Sequence, residues 1–324
     1  MTRISDLALH QLTLAQTLGT QKRVADLQIQ VSSGLRAQRY TGVASEAHRL
    51  VSLQASQART EQFVKNNKIV DGRLTAMETN IAQVFDSATQ FRTLLMNALN
   101  NSNGSDLQIA AEAGNFKQQV ANLLNVQVDG RYLFAGSRTD VKPVELAGWT
   151  PPPSLTPPLT LPLPQITAEY YRGDAVQQAA EIDADLTVDY GITGDEDAFE
   201  YVLRAMQYVE TAGSPPNRDA LESALALINT ALGTEQPNAA RGVEPIQRDL
   251  ADLRSLVGTS RRAIEEANTR HQEYALHLEQ NIGDIQSVDV AQALTELSNQ
   301  QTQLEASYTM LSRLSQLSLL NFLK

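Results

Sequence analysis

Apolar positions in the last stretch of the chain recur in alternating steps of four and three: Val290, Leu294, Leu297, Gln301, Leu304, Tyr308 and Leu311. This rhythm predicts a helix over 290–324 with a coiled-coil seam along one face. At about 1.5 Å per residue the helix reaches roughly 50 Å. Its seam therefore needs either the other end of the chain or another chain to cover it. The first residues carry a looser stripe at helical spacing, Ile4, Leu7, Leu14, Leu18, Val24, Leu27, Val31 and Leu35, and no proline precedes Pro143 to interrupt a helix. Residues 1–70 hold nine Lys/Arg against four Asp/Glu, whereas residues 271–324 hold two against six. The two ends are thus expected to attract one another, with Leu294, Leu297, Leu304, Tyr308 and Leu311 packing around Leu14, Leu18, Leu27 and Val31.

Between the ends, Ser32-Ser33-Gly34 and the residues through Gly42 read as a break. Helix resumes near Ser45 and leads into a second seam, Leu74, Met77, Ile81, Val84, Ala88, Phe91, Leu95 and Ala98. Asn100 to Ser105 reads as a turn, and Leu107 to Val126 as the returning arm of a helical hairpin. Helical periodicity stops at Gly130. Arg131 to Gly136 has the aromatic content of a short strand, and prolines crowd the stretch from Pro151 to Pro164, which predicts an extended loop. Further on, Ile182, Ala184, Leu186 and Val188 alternate with Asp183, Asp185, Thr187 and Asp189, as on a half-buried strand. Thr193 and Glu196 have capping-box spacing ahead of a new helix. Ile246, Leu250, Leu253, Val257, Ser260, Ile264, Ala267, His271, Tyr274 and Leu278 then mark another long one. The expected architecture is mainly α with a small β-rich insertion, an elongated antiparallel helical bundle or coiled coil formed by the N- and C-terminal regions. Its expected parts are an N-terminal assembly helix (1–44), a helical rod in two pieces (45–129 and 191–285), a β-rich insertion with a proline-rich loop (130–190) and a C-terminal assembly helix (286–324).

Composition narrows the possible functions. The formal charge is −11, and the basic residues of the N-terminal segment are scattered, which argues against a phosphate-binding footprint. Aromatic residues make up 5% of the chain, with Trp149 the single tryptophan, which suits extended helix packing better than a large globular core. There is no cysteine, hence no disulfide or thiolate metal site. No run of 18 apolar residues occurs, and the first residues lack the features of a cleavable signal peptide, so any export is expected to use another route.

Candidate chemistry is sparse. The acidic set Glu181, Asp183, Asp185, Asp189, Asp195, Glu196, Asp197 and Glu200 fails the calcium-loop template, because Thr187 and Gly194 fall where the fifth and twelfth positions need ligands. It reads as a solvated strand face and a helix cap. His10, His48, His271 and His277 form no metal-binding pair, and no nucleotide or hydrolase motif appears. Arg172-Gly173-Asp174 matches an adhesion tripeptide too short to carry a function.

Ser32-Ser33-Gly34-Leu35-Arg36 and the terminal run Leu314-Ser315-Gln316-Leu317-Ser318-Leu319-Leu320-Asn321-Phe322-Leu323 resemble the two end signatures of the bacterial flagellin family. Within it, Asn125 to Gly136 followed by Thr139 and Pro143, together with Tyr171-Arg172-Gly173-Asp174, are similar to the hook-associated protein 3 subgroup. Tyr40-Thr41-Gly42-Val43-Ala44 departs from the Pro-Ser-Asp-Asp run of many members. The resemblance implies an extracellular structural subunit at the hook-filament junction, exported through the flagellar type III apparatus. It implies no catalytic, cofactor-binding or metal-binding residues. Implied partners are copies of the chain in a ring, a neighbouring hook-associated protein and flagellin, and an export chaperone, with no nucleic acid and no membrane. The residues expected to carry assembly are Leu7, Leu14, Leu18, Leu27, Val31, Leu35, Val290, Leu294, Leu297, Leu304, Tyr308 and Leu311. A filament-forming flagellin is the nearest alternative, and a calcium-binding or enzymatic insertion the alternative from another class.

Overall fold

The computed structural model describes residues 2–100, 108–151, 169–213, 217–236 and 243–322, with backbone alone for 2–10, 41, 43 and 314–322. Along the chain run α1 (Thr2–Ser33), a 3-10 turn (Tyr40–Val43), α2 (Ala47–Asn100), α3 (Ile109–Leu124) and a hairpin of β1 (Gln127–Val128) and β2 (Arg131–Tyr132). A second hairpin of β3 (Ala179–Asp183) and β4 (Leu186–Asp189) follows, then α4 (Asp197–Thr211), α5 (Arg218–Ala231), α6 (Leu250–Gln286) and α7 (Val290–Phe322). The chain is 69% helical, and its only sheets among the described residues are these two antiparallel hairpins. Two units form, one from Met1–Glu61 with Gln272–Lys324, the other from Gln62–His271.

The larger unit is built on two unbroken seams. On α2, Val70, Leu74, Met77, Ile81, Val84, Ala88, Phe91 and Leu95 are buried, and on α6 Leu250, Leu253, Val257, Ser260, Ile264, Ala267 and His271 are buried. The same four-three rhythm on both helices drives them together, because each stripe is too wide to leave in water. They run antiparallel, as their polar ties require. Arg261 of α6 donates to Asp71 at 3.1 Å and to Glu78 at 2.6 Å, and Asn67 donates to Asn268 at 3.0 Å. His271 stacks on Phe63 with centroids 5.2 Å apart and donates through Nε2 to the Ile182 carbonyl at 2.9 Å, a structural role. Against α3 and α5 lies α4, buried nearly all round.

Several local expectations change. Only Arg131 and Tyr132 of the segment to Gly136 are strand, because Leu133, Phe134 and Ala135 turn into the core, where Phe134 meets Phe199 edge-on at 6.0 Å. The alternating run from Ile182 to Val188 is two strands. Asp183 accepts the Ala184 amide at 2.8 Å and the register shifts between Glu181 and Asp183, so Ala184 and Asp185 form a turn and Leu186 is exposed. The capping box is absent: Glu196 is the N-cap of α4 without a side-chain cap, and its carboxylate instead meets Arg248 at 2.6 Å. Tyr274 is exposed. The turn read over Asn100–Ser105 and the proline-rich stretch fall largely outside the described residues.

In the smaller unit α1 and α7 lie side by side. Gly34 ends α1 at φ +70°, a left-handed conformation that glycine adopts freely, and its amide donates to Gln30 O at 2.8 Å. Beyond it, Leu35 bridges Ser287, Arg36 N donates to Gln286 O at 2.6 Å and Val288 N to Gly34 O at 3.0 Å. The turn after α1 is therefore zipped to the turn before α7, and the helices run antiparallel. Asp289 caps α7 by accepting the Gln292 amide at 3.0 Å. Beneath the turns Leu50, Ile282 and Ile285 form a small core of their own. A Gly34→Ala chain is expected to lose about 1–2 kcal/mol in denaturant melts of this unit, the cost of a Cβ at positive φ, since open space surrounds the position. An unchanged midpoint would show that the cap carries no strain-free requirement for glycine.

Candidate assembly surface

The α1–α7 pair is held by an inner row that differs from the most apolar one. On α1 the positions turned away from water are Thr13, Thr17, Thr20, Val24, Leu27 and Val31. These steps are four and three without a break. Thr17 and Thr20 are buried, and their hydroxyls donate to the carbonyls of Thr13 at 2.8 Å and Gln16 at 3.1 Å, which leaves methyl groups for packing. On α7 the inner row is Ala293, Leu297, Gln300, Leu304, Ser307 and Leu311, and Ser307 returns its hydroxyl to Gln303 O in the same way. Gln300, rather than Gln301, is the polar residue of this row. Its amide nitrogen reaches Glu296 at 2.8 Å while its Oε1 is buried without a partner.

Of the residues expected to carry assembly, Leu27, Val31, Leu297, Leu304 and Leu311 are half-buried on the two inner rows. Leu35 and Val290 are exposed near the zipped turns. Leu14 and Leu18 are 46% and 56% exposed, Leu294 and Tyr308 49% and 48%, each one residue beyond an inner-row position. The side chain of Leu7 lies outside the described residues. The expected packing of Leu294 and Tyr308 around Leu14 and Leu18 is therefore replaced within the subunit by Thr and small residues, which let two backbones approach where leucines would hold them apart. The Thr13 to Val31 run was itself visible in the sequence, but threonine counts as polar in a hydrophobicity pattern and its satisfied hydroxyl shows only in the structure.

Two overlapping rows thus coexist on α7, sharing Leu297, Leu304 and Leu311. One is covered by α1. The other, with Val290, Leu294 and Tyr308, faces outward.

The segment from Asn125 to Asp174 is held by polar ties of its own. The Asn125 side chain acts as a strand partner to Val144, donating to its carbonyl and accepting its amide, both at 2.9 Å. Asp129 and Gly130 take positive φ in the two-residue turn between β1 and β2. Asp174 accepts from Ser137 N at 2.7 Å, from Ser137 Oγ at 2.5 Å and from Val176 N at 3.2 Å, so the Ser137 hydroxyl and these amides lower its pKa. The carboxylate of the adhesion-like tripeptide is consequently occupied in bracing its own loop. Members of the acidic set enter separate ion pairs, Asp183 with Arg270 at 3.8 Å and Glu200 with Arg204 at 2.6 Å. Among the described residues no cluster of His, Cys, Asp and Glu could hold a metal ion, and no helix is long and apolar enough to cross a membrane.

Comparison with known proteins agrees with both ends of this architecture. Residues 4–139 match the bacterial flagellin N-terminal helical region and residues 241–323 the bacterial flagellin C-terminal helical region. The chain is 24% identical over 310 residues to flagellar hook-associated protein 3 of Escherichia coli strain K12, covering 91% of each. It is 22% identical over 332 residues to flagellar hook-associated protein 3 of Salmonella typhimurium, covering 98% of each. Its fold is similar to that of a putative flagellar hook-associated protein from Vibrio parahaemolyticus, with TM-score 0.56 and 14% identity over 76% of this chain and 100% of that one. Flagellar hook associated protein-3 from Legionella pneumophila is similar at TM-score 0.52 and 14% identity, over 72% and 98%. With helical regions of the flagellin type at both ends and hook-associated proteins as full-length relatives, the chain belongs to the bacterial flagellin family.

Proposed function

We propose that this chain is a structural, non-enzymatic subunit of the junction between flagellar hook and filament, and that the outward rows of α1 and α7 are where neighbouring subunits dock. The observation that carries this reading is the distribution of exposed large apolar side chains. Leu12, Leu14, Leu18, Ile29, Val290, Leu294, Tyr308 and Met310 stand in water on the two terminal helices. Among the described residues of the larger unit, only Ile69, Met96, Val176 and Leu186 do so. Leu14, Leu18 and Ile29 share one face of α1, and Val290, Leu294 and Tyr308 one face of α7, and exposed apolar faces of this kind mark an interaction surface. Copies of the chain in a ring, an adjoining hook-associated protein and flagellin are the neighbours this reading requires. This reading has the assembled subunit outside the cell, reached by type III export, and gives an export chaperone the task of covering the rows beforehand.

The test is a Leu18→Ser/Leu294→Ser chain. Both residues are about half exposed, so its melting curve is expected to stay within about 0.5 kcal/mol per site of the parent, while incorporation onto isolated hooks fails. Normal incorporation would remove the outward rows from the mechanism. In ammonium sulfate, which strengthens apolar burial, negative-stain images of the parent chain are expected to show short oligomers. Long tubular filaments would instead make it a filament subunit.

A further inference from the structure

Within the larger unit the β3–β4 hairpin lies along α6. Its base meets the helix where Ser260 Oγ reaches Asp189 O at 3.4 Å, and its tip where Asp183 pairs with Arg270 at 3.8 Å. From Ser260 to Arg270 the helix rises about 15 Å. The tip is fastened through one backbone atom. The Ile182 carbonyl accepts from His271 Nε2 at 2.9 Å and from Asn67 Nδ2 at 3.0 Å, so α6 and α2 each supply a donor and both lone pairs are used. This carbonyl is available because β3 carries a bulge: Glu181 pairs with Thr187 and Asp183 with Leu186, while Ile182 between them has no partner on β4. The Ile182 side chain is fully buried at the same point.

Asn67 is the odd member of its helix. It falls on the α2 seam ahead of Val70 and Leu74 and is fully buried, where the spacing calls for an apolar side chain. Its second amide hydrogen goes to Asn268 Oδ1 at 3.0 Å, while its own Oδ1 is buried without a partner among the described residues. An unpaired buried acceptor lowers stability, and an apolar residue would carry no such cost. What asparagine supplies here is therefore its pair of donated bonds, one fixing α2 against α6 and one holding the hairpin to both. A polar residue buried in an apolar seam sets register in this way. Little else holds the hairpin: Ala180 and Val188 are half-buried, and Glu181, Leu186, Thr187 and Asp189 are exposed. The buried rows from Leu74 to Leu95 and from Leu250 to Ala267 close α2 and α6 without it.

We propose that the β3–β4 hairpin is a strap latched at its tip by Asn67 and His271, which opens as a unit while the α2–α6 seam stays closed. Closed, it shares with that seam the asparagine that fixes the helix register. Open, it bares Ile182 and the half-buried face of the hairpin. The device is separate from the assembly rows and does not depend on them.

Hydrogen exchange of the full chain, read by mass spectrometry, tests the strap. In the parent, the peptide spanning 179–189 is expected to exchange faster than those spanning 74–95 and 250–264, as a sub-global opening requires. Asn67→Ala and His271→Phe each remove one donor to Ile182, and the second keeps an aromatic ring for the stack on Phe63, where the centroids are 5.2 Å apart. Each is expected to speed exchange of 179–189 about tenfold and to leave both helical peptides at the parent rate. If the helical peptides accelerate by the same factor, the hairpin opens only with the whole unit. If 179–189 keeps the parent rate in both variants, the two donors do not latch it. Either result overturns the proposal.

Discussion

A Leu304→Pro chain is expected to lose the helical signal of the C-terminal half of α7 and to fail to join the flagellum. Leu304 sits well inside α7 and belongs to both of its rows, the one covered by α1 and the one facing outward. Proline there removes a main-chain donor and drives its ring against the preceding turn, a cost of about 3 kcal/mol or more. Packing of α7 against α1 cannot absorb this, since the Leu297, Leu304 and Leu311 side chains that share that contact with Ala293 and Ser307 are only half-buried. Leu304→Ala separates the two effects by keeping the helix and removing only the shared side chain. Far-UV circular dichroism and incorporation onto hooks should then part company, helix retained and assembly weakened. Normal helicity and normal incorporation of the proline chain would refute a continuous α7 as the assembly element.

The second large effect lies in the core of the other unit. Glu200 and Arg204 are one turn apart on α4 and both fully buried, with Arg204 Nε and Nη2 at 2.8 and 2.6 Å from Glu200 Oε1 and Oε2 left without a partner. Burial pushes the Glu200 carboxyl up to about 7, against the attraction of Arg204. A carboxyl with a raised pKa binds its proton more tightly in the folded chain. Its contribution to stability is therefore fullest below the ordinary value of 4.5 and is lost as pH rises through about 7. Melts of the parent are expected to show this decline, and Glu200→Gln to flatten it. Arg204→Met leaves the carboxylate buried and unpaired, an expected loss of about 3–5 kcal/mol at pH 8 that shrinks at pH 5, where the group is neutral. A loss of equal size at both pH values would mean that Arg204 acts through packing against Tyr201, over which its guanidinium lies at 5.5 Å.

How far these features could be read beforehand depended on the kind of signal. The long helices and the seams of α2 and α6 were legible because a four-three rhythm sustained over several turns has one physical solution, burial of that face. Leu74 through Leu95 and Leu250 through Ala267 are buried as the spacing requires. Family membership was legible for another reason: Gly34 and its flanking serines, and Asn125 through Gly136, each do a backbone job that few residue types perform. The β-rich insertion was legible only in outline. An alternating run such as Ile182 to Val188 does not reveal that Asp183 will accept a neighbouring amide and fold the run into a hairpin.

The helical class and the pairing of the two ends were determined by the sequence itself, through periodicity and residue type. Which face of each terminal helix the subunit keeps for itself was decided only in three dimensions. Rows one residue apart on α7 share Leu297, Leu304 and Leu311 and are nearly equivalent in pattern, and the close approach that threonine, alanine and serine allow selects between them. Leu14, Leu18, Leu294 and Tyr308, which belonged to the sequence pattern, are thereby left exposed. Likewise, Glu200 read in the sequence as part of a solvated acidic face and helix cap, and only the packing of α3 and α5 around α4 made it half of a buried charge pair with Arg204.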